Sequence, residues 1–114
     1  MVIKDVKKSD LYSYRVMWSE EDGEFIGLCA EFPSLSWLAE TKEAAIRGIT
    51  DLVSNVVSDM ESSNATIPVP LSAKHYSGNL SIRIPPEVHR KLAIQAAESN
   101  ISVNRLISVK LAAD

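Results

Sequence analysis

The sequence predicts an α+β protein in two modules, and three observations predict it. An alternating polar/apolar stretch with an Asp-Gly turn opens the chain. The strongest helical periodicity follows from Thr41, and a second short alternation after residue 78 leads into two further helical stretches. The expected division is a β-β-β-α module over residues 1–71, with 1–10 as a flexible tail. A polar linker over 72–78 and a strand-helix-helix module over 79–114 complete it.

The first strand is read from Tyr12-Ser13-Tyr14-Arg15-Val16-Met17-Trp18, which alternates and is rich in aromatic and β-branched residues. Asp22-Gly23 supplies the positive φ of a tight turn, and Phe25-Ile26-Gly27-Leu28-Cys29-Ala30 resumes the apolar pattern, so the two runs form a hairpin. Pro33 interrupts the chain before Leu35-Ser36-Trp37-Leu38-Ala39, a third and shorter strand expected to pair with one of the first two. Thr41 then stands as N-cap to a helix whose apolar residues Ala45, Ile46, Ile49, Leu52, Val53, Val56, Val57 and Met60 recur at spacings of three and four. Its polar side carries Lys42, Glu43, Arg47, Thr50, Asp51, Ser54 and Asp59, and Ser62-Ser63-Asn64 ends it. Ile67-Pro68-Val69-Pro70-Leu71 is too proline-rich for a central strand, and Ser72 to Gly78 reads as a connector.

The second module begins with Asn79-Leu80-Ser81-Ile82-Arg83-Ile84, a strict alternation stopped by Pro85-Pro86. Proline suits the first helical position, where its missing N–H would have had no partner, so a helix is expected from about Pro86 through Glu98 with Val88, Leu92 and Ala96 inward. Asn100 can take the left-handed conformation that ends a helix. Ser102 caps a last helix containing Val103, Leu106, Ile107, Lys110 and Leu111.

With 114 residues, 46% of them hydrophobic and 24% charged, the chain has the composition of an ordinary globular protein. A single cysteine, Cys29, excludes an internal disulfide. No apolar run approaches the roughly 18 to 20 residues that span a bilayer, and Met1 to Lys8 lacks the apolar core of a signal peptide. A cytoplasmic location without membrane partners is therefore expected. Residues 1–77 carry 7 Lys/Arg and 12 Asp/Glu, a balance of −5, whereas residues 78–114 carry 5 and 3, a balance of +2. An acidic body with a basic end suggests two different partners.

The second module cannot be complete alone. A lone strand leaves its backbone N–H and C=O groups unpaired, and some 35 residues bury too little apolar surface to offset their conformational entropy. Two copies pairing these strands antiparallel would place Leu80, Ile82 and Ile84 in a dimer core and turn Asn79, Ser81 and Arg83 outward. A two-stranded ribbon fits the DNA major groove, where Asn and Arg make bidentate hydrogen bonds to adenine and guanine. The amides at the start of the last helix, around Ser102, Val103 and Asn104, would grip phosphate.

Asn79 to Pro85 followed by Ser102-Val103-Asn104 resembles the ribbon-helix-helix repressors of the Arc and MetJ type. Upstream, Ala30-Glu31-Phe32-Pro33-Ser34-Leu35-Ser36-Trp37, the long Thr41 helix, the Pro68-Val69-Pro70 exit and Tyr76-Ser77-Gly78 look like the HicB family of antitoxins. That resemblance implies a pared-down ribonuclease H-like N-terminal module that masks a small RNA-cleaving HicA-like toxin. It also implies a C-terminal module that forms a homodimer or higher oligomer and represses its own operon at operator DNA. Phe32 and Trp37, flanking a proline turn at a sheet edge, are then candidate toxin contacts.

Two rival readings are an orphan regulator without a toxin and a residual nuclease. Asp22, Glu24, Asp51 and Asp59 would have to converge on metal ions for the nuclease, but they fall in a turn and on a polar helix face, so no catalytic residue is expected. His75 and His89 have no second ligand at metal-binding spacing, and Cys29 lies in an apolar strand without a neighbouring base. Neither metal nor cofactor is expected.

Overall fold

The first hairpin forms where the sequence places its one Asp-Gly pair. Gly23 has φ +64°, its N–H donates to the Ser19 carbonyl at 2.8 Å, and the Ser19 hydroxyl donates to the Asp22 carboxylate at 2.8 Å. The turn joins β1 (Tyr14–Ser19) to β2 (Glu24–Cys29) in antiparallel register, with Val16 opposite Gly27 and Trp18 opposite Phe25. A third strand, β3 (Ser36–Ala39), pairs antiparallel with the other edge of β2, giving the order β1-β2-β3. The computed structural model describes residues 7–113 and is α+β, a three-stranded antiparallel sheet followed by helices.

Helix α1 (Lys42–Ser62) starts at Thr41, whose hydroxyl accepts the Ala44 N–H at 3.1 Å and so satisfies one orphan amide of the first turn. It ends in a Schellman motif. Asn64 has φ +56°, while the Ala65 N–H donates to the Met60 carbonyl and the Asn64 N–H to the Glu61 carbonyl. Between these caps the helix buries Ala45, Ile49, Val53 and Val57. Full burial of an isoleucine or valine side chain, as at Ile49 and Val53, contributes about 1.5–3 kcal/mol. Ile46, at the edge of the apolar stripe, remains 38% exposed.

The helix approaches the sheet at two glycines. A Cβ on Gly27 would lie 2.6 Å from the Ala45 carbonyl oxygen, so only glycine lets α1 come this close to β2. A Cβ on Gly48 would lie 2.1 Å from the Trp37 indole, so β3 lays that ring across the bare backbone of α1. The core beside these contacts joins Tyr12, Cys29, Phe32, Ile49, Val53 and Val57.

The chain divides into two compact units, Met1–Tyr76 and Ser77–Asp114. Residues 1–6 of the expected flexible tail lie outside the described residues. The remainder departs from that expectation: Lys8–Leu11 is a 3-10 turn with Ser9 buried, and the Ser9 carbonyl accepts the Tyr14 hydroxyl. The start of the expected linker is also held. Leu71–Ala73 is a second 3-10 turn, the Ser72 hydroxyl donates to the Leu11 carbonyl at 2.5 Å, and the Tyr76 hydroxyl donates to the Leu71 carbonyl at 3.0 Å.

In the second unit, α2 (Pro86–Glu98) carries proline in its first turn, and Asn100 at φ +56° closes it in another Schellman motif. Ser102 caps α3 (Val103–Ala112), its hydroxyl accepting the Arg105 N–H at 3.0 Å. The expected strand over residues 79–84 is not present in the single chain. A β-ladder needs a second strand, and this unit supplies none of its own.

Candidate functional site

The second unit brings five of its candidate residues, Asn79, Leu80, Ser81, Ile82 and Asn104, to one groove of about 560 Å³, while Arg83, Ile84, Ser102 and Val103 lie outside its lining. Residues 78–82 run beside α3, so that Asn79, Leu80, Ser81 and Ile82 face Asn104, Ile107 and Leu111. The helix pair buries only Ala96 and Leu106, leaving Leu80 77%, Ile82 53% and Leu111 67% exposed. Ile84 is half-buried. The proposed base-contacting residues Asn79, Ser81 and Arg83 are all exposed, and the Asn79 N–H donates to the Ser77 hydroxyl at 3.1 Å.

Of the three proposed phosphate contacts, Ser102 spends its hydroxyl on the Arg105 amide. Val103 and Asn104 occupy the first turn, where helix geometry gives their N–H groups no intrahelical acceptor. That turn presents two donors and the positive end of the helix dipole. The basic side chains of this unit are Arg83, Arg90, Lys91, Arg105 and Lys110, and Arg90 is paired with Glu87 across one helical turn.

In the first unit the two aromatic candidates part company. Phe32 is 8% exposed and meets Tyr12 edge-on, with ring centroids 5.2 Å apart. Its expected role as a toxin contact is corrected: the Phe32-Pro33 turn folds the ring inward, where it fills the core under the sheet. Trp37 stays 45% exposed, with one part of its indole over Gly48 and the rest in solvent.

Two features of this unit escaped the sequence reading. One is Glu31, whose carboxylate accepts the Ser13 N–H at 2.9 Å, the Ser13 hydroxyl at 3.2 Å and the Leu71 N–H at 2.9 Å. Partial burial pushes this carboxyl up, but the donated N–H groups of Leu71 and Ser13 outweigh it and hold the carboxyl below its usual range. With the Tyr12 hydroxyl donating to the Pro68 carbonyl at 2.6 Å, Glu31 clasps the segment leaving α1 onto the start of β1. Burial pushes the neighbouring Tyr12 hydroxyl and Cys29 thiol up. The other feature is a sheet face, bearing Met17, Ile26, Leu28 and Leu38, that none of the described helices of this unit covers. Its sequence signal was the apolar run Phe25 to Ala30 that makes up most of β2, which marks a strand apolar on both faces.

The carboxylates considered for catalysis stand apart in role. Asp22 is engaged in the β1–β2 turn, while Asp51 and Asp59 lie on the exposed side of α1. Among the described residues no three His, Cys, Asp or Glu side chains are grouped to hold a metal ion. Among those residues, too, no helix is long and apolar enough to cross a membrane.

No curated protein and no solved structure matches the chain. The strands β1 to β3, on which part of the family likeness was drawn, are not in the region that a family model recognises. That region runs from the last turn of α1 through the proline exit, the connector and the second unit: residues 62–111 are similar to the model of the HicB family.

Proposed function

We propose that the chain is the antitoxin of a type II toxin–antitoxin system, neutralising a HicA-like RNA-cleaving toxin with its first unit and repressing its own operon with its second. The observation that carries the reading is the second unit's unfinished core, placed within the residues that match the HicB family. Leu80 and Ile82 stand 77% and 53% exposed on a segment whose backbone has no ladder partner. Antiparallel pairing of residues 79–84 with a second copy would satisfy those backbone groups and cover Leu80, Ile82 and Ile84 in one step.

The same pairing would give a ribbon presenting Asn79, Ser81 and Arg83 from each chain to the major groove. The first-turn amides of α3 at Val103 and Asn104, with Ser102, would fix the ribbon on flanking phosphates. The +2 balance of residues 78–114 suits contact with DNA, and the −5 balance of residues 1–77 suits a basic, RNA-binding toxin. In this reading the protein works in the cytoplasm, by binding, and performs no catalysis.

Titration against its own upstream DNA at two salt concentrations tests the repressor half. The wild type is expected to bind specifically and to weaken steeply as salt rises. Arg83→Ala, on an intact fold, is expected to lose about ten- to hundredfold in affinity, the size of one bidentate base contact. Equal weak binding by both proteins would reduce the second unit to a dimerisation device.

A further inference from the structure

Within the first unit, its described residues cover the sheet on one side only. α1 lies on the face that contains Val16, Gly27 and Cys29, as the contact of Gly27 with Ala45 and Ile49 fixes. Strand alternation then assigns the opposite face. Met17, Ile26 and Leu38 form one row across the three strands, and Arg15, Leu28 and Ser36 form the next. Met17 is 48% and Leu38 41% exposed, with Ile26 half-buried between them and Leu28 half-buried in the next row. Four large apolar residues in adjacent rows make a contiguous patch, which soluble proteins seldom leave open without a use.

The rim of the patch is acidic at the hairpin end. Glu24 shares the outer face at the start of β2, Glu40 follows directly after β3, and Glu20, Glu21 and Asp22 form the adjoining turn. Glu20 accepts the Trp18 indole N–H and Asp22 is held by Ser19, but none of these five carboxylates has an ion-pair partner among the described residues. Arg15 is the one basic residue on the face. Lys42 sits on the other side, its Nζ 5.9 Å from the Phe25 ring centroid.

We propose that this outer face docks a basic protein whose contact surface has an apolar centre bordered by Lys or Arg. Charge decides against a second copy as the occupant, because stacking two such faces would bring ten carboxylates together against two copies of Arg15. The apolar rows would supply the buried centre of the interface and the carboxylates would steer the approach of the partner. The assignment deepens the antitoxin reading and rests on it, since it names the surface that meets the toxin.

The test uses the full chain and, as probe, the purified HicA-like toxin that the antitoxin reading requires a neighbouring gene to encode. Binding is measured by calorimetry at two salt concentrations, operator binding is followed in parallel, and self-association is followed by sedimentation. Met17→Glu/Leu38→Glu is expected to weaken toxin binding about 100-fold, the loss of two central contacts, with operator binding unchanged. Met17→Ser/Leu38→Ser serves as the milder variant should the charges disturb the sheet, and a loss in the same direction is expected. Glu24→Lys/Glu40→Lys is expected to weaken binding about tenfold and to flatten its salt dependence. Toxin binding by the face variants equal to that of the wild type would overturn the assignment and leave the antitoxin reading standing. Absence of any toxin binding by the wild type would overturn both. A drop in mass of the face variants without toxin present would show that a second copy occupies the face, and the assignment would fall.

Discussion

The two units solve the problem of burying apolar surface in opposite ways. The first closes Tyr12, Phe32, Ile49, Val53 and Val57 into a core from its own residues, while the second buries Ala96 and Leu106 and leaves Leu80, Ile82, Val109 and Leu111 largely in solvent. Size accounts for part of the contrast, because about 40 residues is close to the limit below which a domain needs metal, disulfide or a partner. Topology accounts for the rest. The first unit carries three strands that pair with one another, and the second carries one segment with nothing to pair with. A unit with a closed core can offer surfaces to partners, whereas a unit with an open one must first find its copy.

The contrast is simple to measure, since both tryptophans, Trp18 and Trp37, lie in the first unit while helices lie in both. Tryptophan fluorescence thus follows one unit and far-ultraviolet circular dichroism follows both. The largest expected effect is Ile82→Lys, which places a charge at the centre of the proposed pairing. Sedimentation is expected to show monomer, and the concentration-dependent part of the helical melt should vanish while the fluorescence melt is unchanged. An unchanged mass would break the comparison, because the second unit would then be complete in one chain.

Ile49→Ala is the matching blow to the first unit. Removing a side chain of zero exposure from the centre of the core is expected to cost about 2–5 kcal/mol and to lower the fluorescence midpoint by more than about 10 °C, with the concentration-dependent helical melt retained. A smaller effect separates the two close glycines. Gly27→Ala would drive a methyl against the Ala45 carbonyl, part of a helix backbone that cannot yield locally, and is expected to cost about 1–3 kcal/mol. Gly48→Ala instead pushes the half-exposed Trp37 ring, which can swing outward while α1 gains helix propensity, so thermal stability is expected to change less and fluorescence to shift toward a solvent-exposed indole.

What the sequence revealed followed from short-range rules. Thr41, Asn64, Asn100 and Ser102 mark helix ends through contacts within a few residues, and the structure uses each of them so. Long-range facts were hidden. Nothing near Glu31 in sequence says that its carboxylate will receive the Leu71 amide 40 residues later, and nothing near Gly48 says that Trp37 will cross it. Phe32 was misplaced for the same reason, because its burial depends on Tyr12. The open sheet face was legible in principle: an apolar residue at nearly every position of β2 conflicts with a sheet whose outer side meets only water.

The smallest predicted effect concerns the clasp that ends the first unit. Glu31 has its carboxyl held below the usual range because its charged form receives the Leu71 and Ser13 amides. A carboxyl lowered in the folded state stabilises that state above its unfolded value of about 4.3, and the stabilisation is lost as pH falls through the folded value. The fluorescence midpoint of the wild type is therefore expected to decline from about pH 5 downward more steeply than that of Glu31→Gln, which can still accept a hydrogen bond but has no charge to titrate. At neutral pH the variant should be the less stable of the two, and the curves should converge in acid. Parallel curves across that range would mean that the clasp owes its hold to Tyr12 and Ser72 rather than to the carboxylate. Because Leu71 and Ser72 belong to the first unit, the effect should appear in fluorescence and leave the concentration-dependent melt of the second unit where it was.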